Sequence, residues 1–250
     1  MNPDEYANLA AIEQSHWYYA GKRAIVRHWL KTATSIKPEQ VLLDCGAGTG
    51  LFAGEMEASC RVLVLDNHEE ALRILRTRFR PEQIIGLAGD NVPLPDNSVD
   101  FVTALDVLEH VPDDGAVVRG FQRILKPAGV AIVTVPASMA LWSDWDEALH
   151  HYRRYDRAQL TALFPASEWE LLHVNYTNMV AYPVVWLVRK WRRIFPRSGV
   201  DEEPETRVRT EDSIPLEPFN SILKWILVAP GKTRLRLPFG VSLILVARRR

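Results

Sequence analysis

The chain has 250 residues, 47% of them hydrophobic, and its 30 basic and 31 acidic side chains leave a net charge of −1. That suits one domain, or one domain with an insertion, around a full apolar core, and the balanced charge gives no bulk electrostatic case for binding nucleic acid. Two cysteines, Cys45 and Cys60, make neither a disulfide framework nor a metal site; the start MNPDEYANLA has no basic or apolar leader pattern, and no apolar run reaches the ~18 residues of a membrane span, so a soluble cytoplasmic setting is expected.

In chain order, Asn2–Lys31 reads as one or two helices carrying the cluster His16-Trp17-Tyr18-Tyr19. From Val41 to Pro136 short apolar strands alternate with amphipathic helices, the pattern of a parallel sheet covered on both faces. The expected strands are Val41–Cys45, Arg61–Asp66, Ile84–Ala88, Val99–Leu105 and Val130–Val135. The expected helices are 51–58, 68–79 and 114–125, the second stopped before Pro81. Downstream, 157–164 reads as a helix, 168–175 as a strand and 241–247 as a last strand. Between those two strands come an apolar helix that turns basic, 183–195, a proline- and charge-rich loop, 196–218, expected to be mobile, and a second apolar helix, 219–228. No internal repeat is visible.

Function gathers at the strand ends. Val41-Leu42-Leu43 runs into Asp44-Cys45-Gly46-Ala47-Gly48-Thr49-Gly50, a buried strand delivering its backbone to a tight, glycine-rich turn. A dinucleotide fingerprint would need glycine at 51, where this chain has Leu51. Asp44 in the turn would repel a pyrophosphate and tolerate a cationic ligand such as a sulfonium or an ammonium. Asp66 ends the second strand about 20 residues on, a place suited to ribose hydroxyls. Gly89-Asp90-Asn91 follows the third strand and suits an adenine amino group, and Leu105-Asp106-Val107-Leu108-Glu109-His110 closes the fourth. In open α/β sheets ligands bind at these carboxyl ends.

These residues, in this order, resemble the class I S-adenosylmethionine-dependent methyltransferases of the type 11 methyltransferase-domain group, over roughly residues 12–175. Asp44-x-Gly46-x-Gly48-x-Gly50, Asp66-Asn67, Asp90-Asn91, 93–100 with Leu108-Glu109-His110-Val111, and Leu125-Lys126-Pro127-x-Gly129 are the matching stretches. The resemblance implies an α/β, Rossmann-like sheet of seven strands, mostly parallel with the last antiparallel, in a single domain over 1–250. Within it the expected parts are an N-terminal helical cap (1–36), a cofactor-binding core (37–178), a helical insertion (179–238) and the last strand (239–250). S-adenosylmethionine is the implied cofactor, leaving as S-adenosylhomocysteine. Its implied contacts are Asp44, Gly46, Ala47, Gly48, Gly50, Asp66, Asn67, Asp90, Asn91, Leu105 and Asp106. From the N-terminal cluster, which with Lys22-Arg23 also resembles bacterial members of that group, Trp17 is expected to cover the cofactor and Arg23 to bind its carboxylate; the competing reading is a docking helix with an apolar face.

Methyl transfer needs orientation and desolvation from the protein, and a general base only for a hydroxyl or protonated amine acceptor. No dense metal-ligand cluster is visible in the sequence, and no metal is expected. The segment Trp142–Tyr155 follows the fifth strand and can close over the ligand edge. It resembles a stretch in a subset of bacterial type 11 members. His151, His110 and Tyr155 are the catalytic candidates there, with Asp146, Arg153 and Arg154 as acceptor contacts; the competing reading is a lid in which Asp146 and Arg154 merely pair. The acceptor is expected to be a small molecule or lipid-linked, with peripheral membrane contact through 183–195 and 219–236, where Trp186 precedes and Trp191 interrupts the basic run Arg189–Arg193 and basic residues follow at Lys232, Arg234 and Arg236. The bland alternative for the two helices is a substrate cap or dimer contact. The rival functions are a non-catalytic S-adenosylmethionine-binding protein and a nicotinamide-dependent oxidoreductase, the latter disfavoured by Leu51 and Asp44.

Overall fold

The apolar runs pair into one sheet. In the computed structural model, which describes residues 3–86, 92–194 and 214–250, the strands are β1 (Val41–Cys45), β2 (Arg61–Asp66), β3 (Ile84–Gly86), β4 (Val99–Leu105), β5 (Leu125–Pro136), β6 (Trp169–Thr177) and β7 (Ser242–Arg249). Their order is β3-β2-β1-β4-β5-β7-β6. Pairing is parallel from β3 through β5, while β7 runs antiparallel to both β5 and β6. This is the expected Rossmann-like α/β sheet.

Side chains alternate across the sheet, so both faces are buried. Leu43, Val102 and Val133 point into one core, closed by Phe121 of α5 (Asp114–Ile124) and Leu160 of α7 (Arg157–Ala162). Leu42, Phe101 and Ile132 point into the other. That second core is closed by Trp29 of α2 (Trp17–Ala33), Met56 of α3 (Leu51–Met56), Leu75 of α4 (Glu69–Arg78) and Leu227 of α9 (Phe219–Gly231). The remaining helices are α1 (Pro3–Ile12), α6 (Asp144–Ala148) and α8 (Ala181–Ile194). None of the described helices is long and apolar enough to cross a membrane. Cys45 and Cys60 are free and buried, and burial pushes their thiols up to about 12 and about 11.

The boundaries depart from expectation in informative places. Strand β5 starts at Leu125, opposite Val99, and takes in Lys126-Pro127-Ala128-Gly129 through an irregularity, with Ala128 at φ 63°. Helix α9 continues past Val228 through Pro230, because Gly231 lets its backbone approach Ile25, where a Cβ would lie 2.4 Å from that side chain. Helix α6 was not anticipated; Ser143 and Asp146 form a capping box that nucleates it. The expected insertion supplies α8 and α9 between β6 and β7, and most of its expected loop, residues 195–213, lies outside the described residues.

The β1–α3 turn shows why three glycines stand together. All have positive φ: 68° at Gly46, 57° at Gly48 and 75° at Gly50. A Cβ at Gly46 would meet Val107 at 2.5 Å and one at Gly50 would meet Phe79 at 2.4 Å, whereas one at Gly48 would meet nothing within 4 Å. Two glycines therefore serve packing, and Gly48 alone faces open space. Urea unfolding should accordingly show Gly50→Ala losing about 2–4 kcal/mol, from left-handed strain plus overpacking, and Gly48→Ala only about 1–2 kcal/mol.

Candidate functional site

The parallel order reverses between β1 and β4, and in open α/β sheets ligands bind beyond the carboxyl ends at such a point. Beneath the glycine turn Asp44 is only 3% exposed and accepts a 2.6 Å hydrogen bond from Thr103 of β4. Burial, reinforced by the charge of Asp66, raises its carboxyl to about 7 against the pull of Thr103. Asp66 accepts from the Gly48 N–H at 2.9 Å and from the His68 N–H at 3.0 Å. It therefore fixes the crest of the turn, and each oxygen keeps a lone pair for a ligand hydroxyl. Asn67 beside it is exposed, and Ala47 and Leu105 pack against the second core. Asp90 and Asn91 lie outside the described residues.

The N-terminal helices cover this end. Tyr6 of α1 is buried, with its ring 5.0 Å from that of His68. Glu13 accepts a short hydrogen bond from Thr49 in the glycine turn, and Arg78 donates to the Thr49 carbonyl at 2.7 Å. Arg23, expected to hold a cofactor carboxylate, is committed elsewhere. Its Nε bonds Glu55 at 3.0 Å, and its other nitrogens reach the Glu13 and Gln14 carbonyls. It ties the α1–α2 turn to α3. Trp17 packs against the second core, with its N–H on Asn220 of α9. Asp106, also expected at the cofactor, is taken up by Lys22 and by the Thr134 hydroxyl at 2.9 Å. These partners, Lys22 above all, lower its carboxyl despite burial. Sequence reading missed Lys22 as a site residue; its place between Tyr18 and Tyr19 rings, 5.2 and 5.9 Å from its Nζ, marks it as enclosed.

The segment after β5 forms the other wall. Asp146, 1% exposed, is its hub. One oxygen accepts from His151 Nδ1 at 3.0 Å and Arg154 Nε at 2.6 Å; the other accepts from the Ser143 N–H and lies 3.5 Å from Arg189. Burial would raise this carboxyl, but the His151 hydrogen bond and the two guanidinium charges hold it at about 2. Arg154 also donates to the Ala137 carbonyl, so the hydrogen-bonded lid is what the geometry supports for this pair. Arg153 pairs with Asp114 at 2.7 Å and bonds the Pro112 carbonyl. Tyr155 is buried at 2%, donates to Asp114 at 2.7 Å and is held well above its ordinary pKa by burial and that carboxylate, so it cannot serve as a base.

What the lid presents inward is His151. The Tyr152 N–H bonds the Glu109 carbonyl at 2.8 Å and seats the lid on the turn after β4. There the His110 and His151 rings stand edge to face, 4.6 Å apart. Burial, then the neighbouring His151, pushes His110 down to about 4, so it is a neutral imidazole near pH 7. Glu109 is 1% exposed, and burial with the Asp106 charge keeps its carboxyl well above the usual range. A cleft of about 500 Å³ lies at the opposite, amino-terminal strand ends, against Val41, Arg61 and Ser98, far from this chemistry.

The residues fit S-adenosylmethionine. The crest of the turn faces open space, and its Gly48 N–H is bound by the Asp66 carboxylate, which would repel a pyrophosphate placed there. Leu51 opens α3 directly, leaving no third glycine of a dinucleotide turn.

Comparison with known proteins agrees. The methyltransferase-domain family matches residues 43–133. A "Probable S-adenosylmethionine-dependent methyltransferase" of Mycolicibacterium smegmatis is 32% identical over 133 residues, 52% of each chain. A ubiquinone biosynthesis O-methyltransferase of Xanthomonas oryzae is 29% identical over 157 residues, 54% of this chain and 64% of its own. The match spans about half to two thirds of these relatives' length. A solved S-adenosylmethionine-dependent methyltransferase of Thermotoga maritima superposes with TM-score 0.61 over 99% of this chain and 95% of its own, at 17% identity, a likeness of fold.

The raised carboxyl of Asp44 gives a signed prediction. A buried acid whose pKa is about 7 in the native state and near 3.8 unfolded binds more protons when folded, so its contribution to stability declines as pH rises from about 4 to 7. Asp44→Asn removes that slope. Thermal unfolding of the cofactor-free chain should show the difference in Tm, variant minus parent, growing in the variant's favour from pH 5 to pH 8.

Proposed function

We propose that the chain, whose residues 43–133 match the methyltransferase-domain family, is an S-adenosylmethionine-dependent methyltransferase that transfers a methyl group to a small-molecule or lipid-linked acceptor held between the glycine turn and the Asp146–His151 lid. The observation that carries the reading is the convergence of the Gly48 crest, Asp66 and the His110–His151 pair at the carboxyl ends of adjacent strands. S-adenosylmethionine, when bound, supplies the methyl group already activated on a sulfonium.

The chain's own residues do the rest. Asp66 receives ribose hydroxyls, and Asp44, ionised above about pH 7, supplies negative charge beneath a cationic ligand. Asp90 and Asn91, with Asn67, complete the adenosyl end by their resemblance to the family pattern. Asp146 accepts the Nδ1 proton of His151 and so leaves Nε2 with its lone pair, the arrangement of an oriented base. His151 takes the acceptor's proton where the acceptor is a hydroxyl. Helix α1, with Tyr6 over His68 and Glu13 on the glycine turn, excludes water from the adenosyl end. The ubiquinone O-methyltransferase of Xanthomonas is a precedent within the matched region for an acceptor oxygen.

This reading has a direct check. Calorimetry should show one S-adenosylmethionine per chain and no binding of a nicotinamide cofactor. Asp66→Ala should weaken the donor by about 10–100-fold, the value of hydrogen bonds to a charged group. Binding with no turnover over a broad panel of acceptors would instead favour a non-catalytic binding protein.

A membrane-facing role for the insertion rests on separate observations. Val184, Leu187 and Trp191 of α8 are 61–63% exposed, and Phe219 and Trp225 of α9 are 66% and 70% exposed. Not all of the insertion's basic residues face outward, as the sequence suggested. Lys190 sits over the Trp186 ring at 4.7 Å, but Arg189 turns inward to the Leu141 carbonyl and Asp146. The side chains of Arg192 and Arg193 lie outside the described residues. Helix α9 also packs on α2 through Leu227, so it is a cap on one side and an exposed apolar surface on the other. Vesicles containing anionic lipid should bring down the parent chain in a flotation assay, and Leu187→Ser/Trp225→Ser should lower the bound fraction several-fold.

A further inference from the structure

Glu109, His110 and His151 offer one ligand atom each, and the three atoms lie within 4.8 Å of one another. The sequence separates His151 from the other two by a whole strand and the lid, so the cluster exists only in the fold. We propose that these three residues bind a zinc-like divalent transition-metal ion. The inference rests on the reading of this edge of the sheet as the acceptor site and adds a ligand to it.

The hydrogen bonds around the cluster all point outward. His151 gives Nδ1 to Asp146 at 3.0 Å. His110 has a hydrogen bond to the Leu149 backbone. Each imidazole is thus left with its other nitrogen for the cluster. The Glu109 carboxylate, 1% exposed, has an oxygen, Oε2, with no hydrogen-bond partner. A buried oxygen of that kind is rare without an ion or a bound water to satisfy it. Three groups able to donate lone pairs therefore converge.

The donor set, two imidazoles and one carboxylate, is that of catalytic zinc and related ions. Carboxylate-to-histidine hydrogen bonding of the Asp146–His151 type orients such ligands and raises their basicity. Arg154 and Ser143 hold Asp146 in turn. Bonds of about 2.1 Å place two ligand atoms at most about 4.2 Å apart, so loading draws the widest pair inward, a movement within reach of the half-buried His110. Three protein ligands leave a fourth position for water or an acceptor oxygen. An ion there lowers the pKa of a bound hydroxyl, and His151 then acts as its ligand instead of as a free base. Asp146 is a positioning residue in either state.

The test uses the full chain after chelator treatment, titrated with zinc chloride by calorimetry and with cobalt(II) chloride by visible absorption. The expected result is one ion per chain and a cobalt spectrum of nitrogen and oxygen ligation. Glu109→Gln and His151→Ala should each weaken zinc binding by about 100-fold or more, and Asp146→Asn by about 10-fold. S-adenosylmethionine binding, measured on the same samples, reports that each variant is folded; should a buried variant fail that control, the half-buried His110→Ala serves in its place. No saturable uptake by the parent, or equal uptake by parent and folded variants, overturns the proposal. A parent that binds S-adenosylmethionine but no zinc rejects the ion and leaves the methyltransferase reading standing.

Discussion

The hydrogen bond from Thr103 to Asp44 sits where the sheet reverses direction, and the site is organised around it. It joins the ends of β1 and β4 beneath the glycine turn, with Asp44 almost wholly buried. A carboxylate in that position is costly when ionised, and it is tolerable because one oxygen is satisfied by the Thr103 hydroxyl. The turn above it is then held by Asp66, whose two oxygens bind the Gly48 and His68 N–H groups.

Among the described residues, several acidic side chains gather at this end of the sheet, and their partners set their roles. Asp44 has a hydroxyl, Asp66 has main-chain N–H groups, Asp106 has Lys22, and Asp146 has a histidine and arginines. Glu109 has a free oxygen. Asp106 and Asp146 are held in ion pairs, Asp66 braces the glycine turn with a lone pair to spare on each oxygen, and Glu109 stands beside two imidazoles. Left-handed residues cluster at the same edge: Asp106 at φ 57° after β4, Ser138 at φ 63° after β5 and His150 at φ 56° in the lid. Such backbone strain is held by surrounding contacts and is typical of functional turns.

The lid is wired to the insertion. Arg189 of α8 reaches Leu141 and Asp146, the residue that orients His151. A helix with an exposed apolar face thus touches the hub of the lid. That contact accounts for a basic residue that turns away from solvent.

The strand-and-helix pattern, the glycine turn, Asp66 and the β4 turn were legible in the sequence because they rest on local spacing. Apolar runs of strand length and positive-φ glycines constrain the backbone wherever they occur. Roles that depend on partners from distant segments were not legible. Arg23 reads as a free cation until Glu55 and two carbonyls engage it, and Tyr155 reads as a base until Asp114 claims its hydroxyl. The pairing of Lys22 with Asp106 and the meeting of Glu109, His110 and His151 were not legible because residues far apart in the chain build them.

The sequence by itself determined the strand-and-helix order and the glycine turn, which follow from short-range periodicity and turn chemistry, and its motifs carried the family resemblance that implied the cofactor class. Only the tertiary structure decided which charges are already spent and which lone pairs remain unclaimed. Those are properties of side chains meeting across strand ends, where burial and hydrogen bonding between remote segments set the electrostatics.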